Sequence, residues 1–207
     1  MAFISFKPSD FFSTKLFSGT GAAQSITGVG FQPDFSLIKC RSGAEYWNLT
    51  DSPRGVTKNL STNVNATEST EAQRITSFDV NGFSLGTNDQ TNLSGGNFVS
   101  YNMKMGTTSG IAGTADITPS AYSFNQAKGM SIVVYTGNAG AIRTVLHGLG
   151  SPPDMIIIKQ LTSSTNAWVV GGNNIVSDWG GVLTLNTNAA IFTNAYFGGA
   201  VPNATTF

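Results

Sequence analysis

The sequence predicts an all-β protein built from two tandem antiparallel β-sandwich units, the second lacking its last strands. Three observations predict it. The stretch Gly28-Val29-Gly30-Phe31-Gln32-Pro33-Asp34-Phe35-Ser36-Leu37-Ile38-Lys39 returns 120 residues later as Gly148-Leu149-Gly150-Ser151-Pro152-Pro153-Asp154-Met155-Ile156-Ile157-Ile158-Lys159, an internal repeat with Gly, Gly, Pro, Asp and Lys in register. Short period-two runs bounded by Gly, Pro, Asn and Asp recur along the chain, and no segment carries a convincing helical stripe. Charged residues make up only 11% of the chain and hydrophobic ones 40%; Ser, Thr, Asn and Gly replace the charge, the composition of a folded chain with short strands, many turns and an uncharged polar surface.

The elements follow in order. Residues 1–14 hold Phe3, Phe6, Phe11 and Phe12 around Pro8-Ser9-Asp10, with no counterpart in the second half, and are expected to form an aromatic docking arm, a plain N-terminal strand being the alternative. The first unit is placed at 15–104. It opens with Lys15-Leu16-Phe17-Ser18-Gly19, which parallels Val133-Val134-Tyr135-Thr136-Gly137. The paired glycines and Pro33 then make a turn, because Pro withholds an amide hydrogen and Gly reaches backbone angles closed to other residues. The apolar runs at 35–38 and 155–158 read as strands buried on both faces, central to each unit.

A polar loop and an aromatic come next in both copies, ending at Trp47 and Trp168, which are expected to share one structural position with a core or inter-sheet role. Leu60-Ser61-Thr62-Asn63 matches Leu183-Thr184-Leu185-Asn186 as a strand running into a loop. Residues 74–78 and 82–86 flank Asp79-Val80-Asn81 as a hairpin, and residues 97–104 alternate Phe, Ser and Asn with Val, Tyr and Met as a further strand. Residues 66–74 are the best candidate for a single helical turn. Gly-, Thr- and Ser-rich residues 105–129 are expected to bridge the units, and the second unit is placed at 130–207. Its last residues, 202–207, align with about 75–78, so partners for the strands at 82–85 and 98–103 are missing. Either the chain continues or a neighbour supplies those strands.

Composition bounds the function. Eleven basic residues balance eleven acidic ones, so a phosphate-tracking nucleic-acid partner is not expected. No run reaches the roughly 18–20 apolar residues of a membrane span, and the N-terminus lacks the layout of a secretory signal; no membrane partner is expected. Cys40 is the only cysteine, which excludes an internal disulfide. The lone histidine, His147, stands where the other copy has Thr27, a structural place. No zinc spacing occurs, and Asp79-Val80-Asn81-Gly82 reads as a hairpin turn before it reads as an oxygen-ligand loop. The expectation is therefore no enzyme, no catalytic residue, no metal and no cofactor.

Phe17-Ser18-Gly19 with Tyr135-Thr136-Gly137, the two Gly-x-Gly-x-x-Pro-Asp segments, Leu49-Thr50-Asp51-Ser52-Pro53-Arg54-Gly55, residues 76–86 and Phe98-Val99-Ser100-Tyr101 together resemble a family of concanavalin-like jelly-roll domains found in virion proteins of tailed bacteriophages, notably marine ones. The resemblance covers nearly all of residues 15–104 and the second copy from residue 130. It implies a two-sheet antiparallel jelly roll displayed on a particle surface, and it carries over no catalytic residue. The function expected is a structural virion protein, a head decoration or comparable protein on the exterior, made in the host bacterial cytoplasm. It would assemble with other virion proteins and with copies of itself through Phe3, Phe6, Phe11, Phe12 and strand edges. The alternative is a tail-fibre or receptor-binding module for host-surface carbohydrate, with Tyr46, Trp47, Asp51 and Arg54 supplying a stacking ring and hydrogen-bonding groups.

Overall fold

The computed structural model describes residues 7–138, 142–173, 175, 179–193, 195–197 and 201–207. The chain is nearly all β, in several antiparallel sheets, and divides into two compact units, one of residues 1–61 and 68–105, the other of 62–67 and 106–207.

The first unit is a sandwich. Its large sheet runs β1 (Phe12–Ser18), β9 (Asn97–Met103), β3 (Phe35–Cys40), β4 (Asn48–Asp51), β5 (Lys58–Ser61), β6 (Ser69–Thr70), and its small sheet runs β2 (Gln24–Thr27), β8 (Gly82–Leu85), β7 (Ile75–Asp79). The core lies between them: Ile38, Cys40 and Phe98 from the large sheet meet Ile26, Ile75, Phe83 and Leu85 from the small one, with Phe17 stacked on Phe98 at 5.3 Å. Cys40 is buried in this core as a free thiol.

Two polar residues of β9 also face inward. Ser36, Ser100 and Asn102 are fully buried on the core side; Ser36 Oγ donates to Asn102 Oδ1 at 2.9 Å, and Asn102 Nδ2 donates to Ser100 Oγ at 3.0 Å. Thr50 Oγ1 donates to Asn59 Oδ1 at 2.9 Å, both buried. Because each group has a partner, burial here avoids the desolvation cost of an orphaned polar atom.

The repeat is a scaffold device. Gly28, Gly30, Gly148 and Gly150 all have φ between 71° and 97°, so both copies make the turn in the left-handed region that only glycine enters freely. Asp34 and Asp154 each accept, at the main-chain carbonyl, the amide of the residue leaving the next strand, Ser52 at 2.8 Å and Asn173 at 3.0 Å. Lys39 Nζ donates to the carbonyls of Gly43 and Glu45, and Lys159 Nζ to those of Ser163 and Asn166. The lysine at the strand end thus clamps the following loop in each copy.

The second unit comprises β10 (Ala121–Asn125) paired with β11 (Met130–Val134), and a separate sheet of β12 (Met155–Ile158), β13 (Val169–Gly172), β14 (Gly181–Thr184) and β15 (Phe192–Thr193). By the repeat offsets, β11 corresponds to β1 and β12 to β15 to β3 to β6. Four expectations are corrected. Residues 105–129 are not a bridge, because β10 lies in this unit and pairs with β11 as β9 pairs with β1. The C-terminal residues do not follow β7. Leu146 bridges Thr206 and Val145 exchanges hydrogen bonds with Phe207, so the tail holds the place β8 takes beside β2. Residues 62–67 belong here, since Trp168 Nε1 donates to Val64 O at 3.1 Å. Nor is β12 a central strand: among the described residues it ends its sheet, with no β9 equivalent beside it.

In the first unit the arm boundary also shifts. Phe12 to Thr14 are already paired with β9, and Lys104 N donates to Phe11 O, so the strand alternative holds from residue 12. Phe3 and Phe6 lie outside the described residues. Residues 66–74 contain the short β6 and no helical turn. The α-turn at Asp89–Asn92 is set by Asn88, whose side chain accepts from Gln90 N.

Candidate functional site

The face of the large sheet turned away from the core is where the first unit presents its apolar side chains. With Phe98, Ser100 and Asn102 inward, strand alternation sends Val99, Tyr101 and Met103 outward. Register then places Phe12 opposite Met103, Leu16 opposite Val99, and Leu37 opposite both Tyr101 and Leu49. Tyr101 sits in an aromatic row, stacked with Trp47 at 6.3 Å and with Phe12 at 6.5 Å between ring centroids. Phe12 is 41% and Leu16 65% exposed on the edge strand β1, and Tyr46 is 45% exposed just before β4.

The four residues expected to bind a glycan do not converge. Tyr46 is exposed and Trp47 half-buried on the outer face. Asp51 and Arg54 form a buried ion pair at the end of β4: Arg54 Nε donates to Asp51 Oδ2 at 2.8 Å, and both side chains are 5% exposed. Arg54 Nη1 also reaches Glu68 Oε2 at 3.1 Å, and the Arg54 amide donates to Asp51 Oδ1 at 3.0 Å. Burial pushes the Asp51 carboxyl above its ordinary range, against the pull of the guanidinium. With their polar atoms turned on each other, these two residues present nothing to a surface ligand. Of the two tryptophans matched by the repeat, Trp168 is 5% exposed and holds the core role expected, whereas Trp47 lies on the outer face beside Tyr101. The positions match along the chain; the surroundings differ because Tyr101 comes from β9, which has no counterpart beside β12 among the described residues.

The Asp79-Val80-Asn81-Gly82 segment is a hairpin turn. Asp79 accepts Ser77 Oγ and Ser84 Oγ, each at 2.7 Å, and Asn81 Oδ1 accepts Gly30 N at 2.7 Å, so this hairpin docks the repeated glycine turn. Among the described residues no three His, Cys, Asp or Glu side chains form a metal-binding group. Among them no helix is long and apolar enough to cross a membrane. In the second unit a cleft of about 180 Å³ is lined by Phe124, Gln126, Gly148, Gly150 and Thr205, smaller than the roughly 300–1,000 Å³ of small-molecule sites.

His147 is buried and both ring nitrogens meet backbone. Nε2 lies 3.1 Å from Asn203 O and must donate to it, and Nδ1 accepts Leu149 N at 3.1 Å, the pattern of a neutral imidazole. Burial lowers its pKa from 6.5. The unfolded chain therefore takes up the proton first: stability is fully present above pH 6.5 and is lost as pH falls from there through the folded value. Because this is the only histidine, a step in the melting temperature of the second unit across that window should vanish in His147→Gln, and its NMR titration should run below the free-histidine midpoint.

A family model described as Domain of unknown function (DUF7483) matches residues 7–207. No curated protein and no solved structure matches the chain.

Proposed function

The chain belongs to the DUF7483 family, and from that footing we propose that it is a non-enzymatic structural protein of a tailed-bacteriophage virion, a head decoration or comparable surface protein. The observation that carries this reading is the outward apolar face of the first unit. A six-stranded sheet that buries serine and asparagine and turns Phe12, Leu16 and the Trp47–Tyr101 stack outward is built to adhere to another protein. The resemblance of the repeated motifs to jelly-roll domains of phage virions supplies the particle. The repeat landmarks themselves shape turns and clamp loops, the work of a scaffold, and the partners are other virion proteins.

The test is quantitative mass spectrometry and labelling of purified particles. A copy number on the scale of the capsid lattice, lost with Leu16→Lys in a protein that still folds, is the expected result; absence from particles overturns the reading. A second reading rests on the aromatic row alone, since a line of stacked rings at a surface also suits sugar faces. If Trp47→Ala in a folded protein abolishes binding to host-surface glycan, and the copy number is that of a tail organ, the chain is a tail-fibre module.

A further inference from the structure

In the first unit β9 does two things: it pairs with β1 on one side and with β3, over six residues, on the other. The second unit replaces only the first of these. β10 pairs with β11, and its far edge is taken by Thr107, which exchanges two backbone hydrogen bonds with Phe124. Among the described residues, no strand pairs with the edge of β12 that corresponds to the β9 side of β3.

The exposed groups on that edge can be named. Asp154 O accepts the Asn173 amide, so alternation turns the backbone groups of Ile156 and Ile158 toward β13 and those of Met155 and Ile157 toward the open edge. Met155 is 56% and Ile157 45% exposed, on a strand that holds neither a charge nor a proline. These are the features that invite pairing with another strand: between Asp154 and Lys159 the short strand carries no charge, no proline and no bulge.

We propose that a second copy of this chain fills the β12 edge, the two β12 strands pairing antiparallel about a two-fold axis normal to the sheet. In the register that sets Met155 opposite Ile157 of the second copy, each of the two symmetric pairs exchanges both of its backbone hydrogen bonds. The exposed Met155 and Ile157 side chains of both copies then meet on one face. The strand is self-complementary, the interface closes, and a formal net charge of zero sets no long-range repulsion between copies. This deepens the surface-protein reading by naming the partner of one strand edge. It is tested apart from that reading, because the oligomer is measured on purified protein and the location on particles.

Light scattering over a concentration series should give a mass near twice 21.7 kDa. Met155→Lys and Ile157→Lys should each weaken the dimer by about 100-fold or more, since each lysine then faces an apolar side chain of the second copy across the ladder, with the like charge of its symmetry mate on the diagonal about 7–8 Å away, with circular dichroism unchanged. Leu16→Lys, on the β1 edge, should leave the dimer intact. Should the lysine variants misfold, hydrogen exchange on the unaltered protein decides: the Met155 and Ile157 amides are protected in concentrated solution and exchange in dilute. A monomer at every concentration, a dimer indifferent to both lysines, a dimer dissociated by Leu16→Lys, or a monomer that captures a peptide of the β9 sequence each overturns the proposal, the last in favour of a strand from a different chain.

Discussion

Arg54→Ala should destabilise the first unit by about 3–5 kcal/mol, a large share of the roughly 5–15 kcal/mol that holds a domain together. The guanidinium is the principal compensation for a carboxylate 5% exposed, and it also bonds Glu68 and the Leu49 carbonyl. Without it the Asp51 carboxylate keeps, among the described residues, the residue 54 amide and must either stay charged in a low-dielectric place or take a proton. The intact pair has no such value, since replacing both charges by neutral groups of similar volume leaves no charge buried at position 51, and Glu68, 19% exposed, keeps Lys58 Nζ at 3.9 Å. Asp51→Asn with Arg54→Met should therefore cost much less than Arg54→Ala alone.

The pH dependence separates this account from loss of packing. The folded pKa of Asp51 is already raised above 3.8, and removing Arg54 raises it further. A raised carboxylate contributes stability that is present below the unfolded pKa and lost as pH rises through the folded one. The deficit of Arg54→Ala should thus be greatest at neutral pH and shrink as pH falls toward 3.8. A deficit constant from pH 7 to that point would assign the loss to packing instead. Thermal melts of the single and double variants at a few pH values read this directly, with a shift of about 12 °C or more for the single variant at neutral pH.

Gly82→Ala should be comparably damaging for a steric reason. Gly82 has φ +149°, and a Cβ there would stand 1.9 Å from the carbonyl oxygen of Ile26, across the β2–β8 ladder. Neither atom can yield without opening the register that carries Phe83, which is fully buried, into the core. Backbone strain and forced separation together should cost about 3 kcal/mol or more. Gly55→Ala is the control: its φ is +98° but its Cβ would meet nothing within 4 Å, so only the backbone term of about 1–2 kcal/mol applies. Equal melting temperatures for the two variants would remove the ladder contact from the account.

Much of the fold was legible in the residues. The Gly-x-Gly-x-x-Pro-Asp repeat announced two related units because its constraint is local: the glycines must turn the chain wherever they stand, and they do so with closely similar φ in both copies. The 79–82 hairpin and the strand at β9 were readable for the same reason, turn chemistry and alternation acting within a few residues. Alternation could not say which face of β9 is inside. Val99, Tyr101 and Met103 look like core residues and Ser100 and Asn102 like surface ones, yet the structure reverses them, because Ser36 on β3 supplies the hydrogen bond that makes a buried Asn102 tolerable.

The candidate surface was less legible still. Tyr46, Trp47, Asp51 and Arg54 are close in sequence and chemically suited to a sugar, but the ion pair takes two of them out of reach, and the partners that turn Trp47 into part of a row, Tyr101 and Phe12, come from distant strands.

By itself the sequence determined the all-β class, the duplication, the turns and the lysine-ended strands, since each is dictated by the backbone freedom or alternation of neighbouring residues. Only the tertiary structure decided which segments stand beside which: β10 in the β9 place next to β11, the tail in the β8 place, and β12 at the end of its sheet among the described residues, where β3 lies inside its own. Strand adjacency depends on which backbone donors and acceptors meet across the sheet, and a local pattern of side chains carries no record of that.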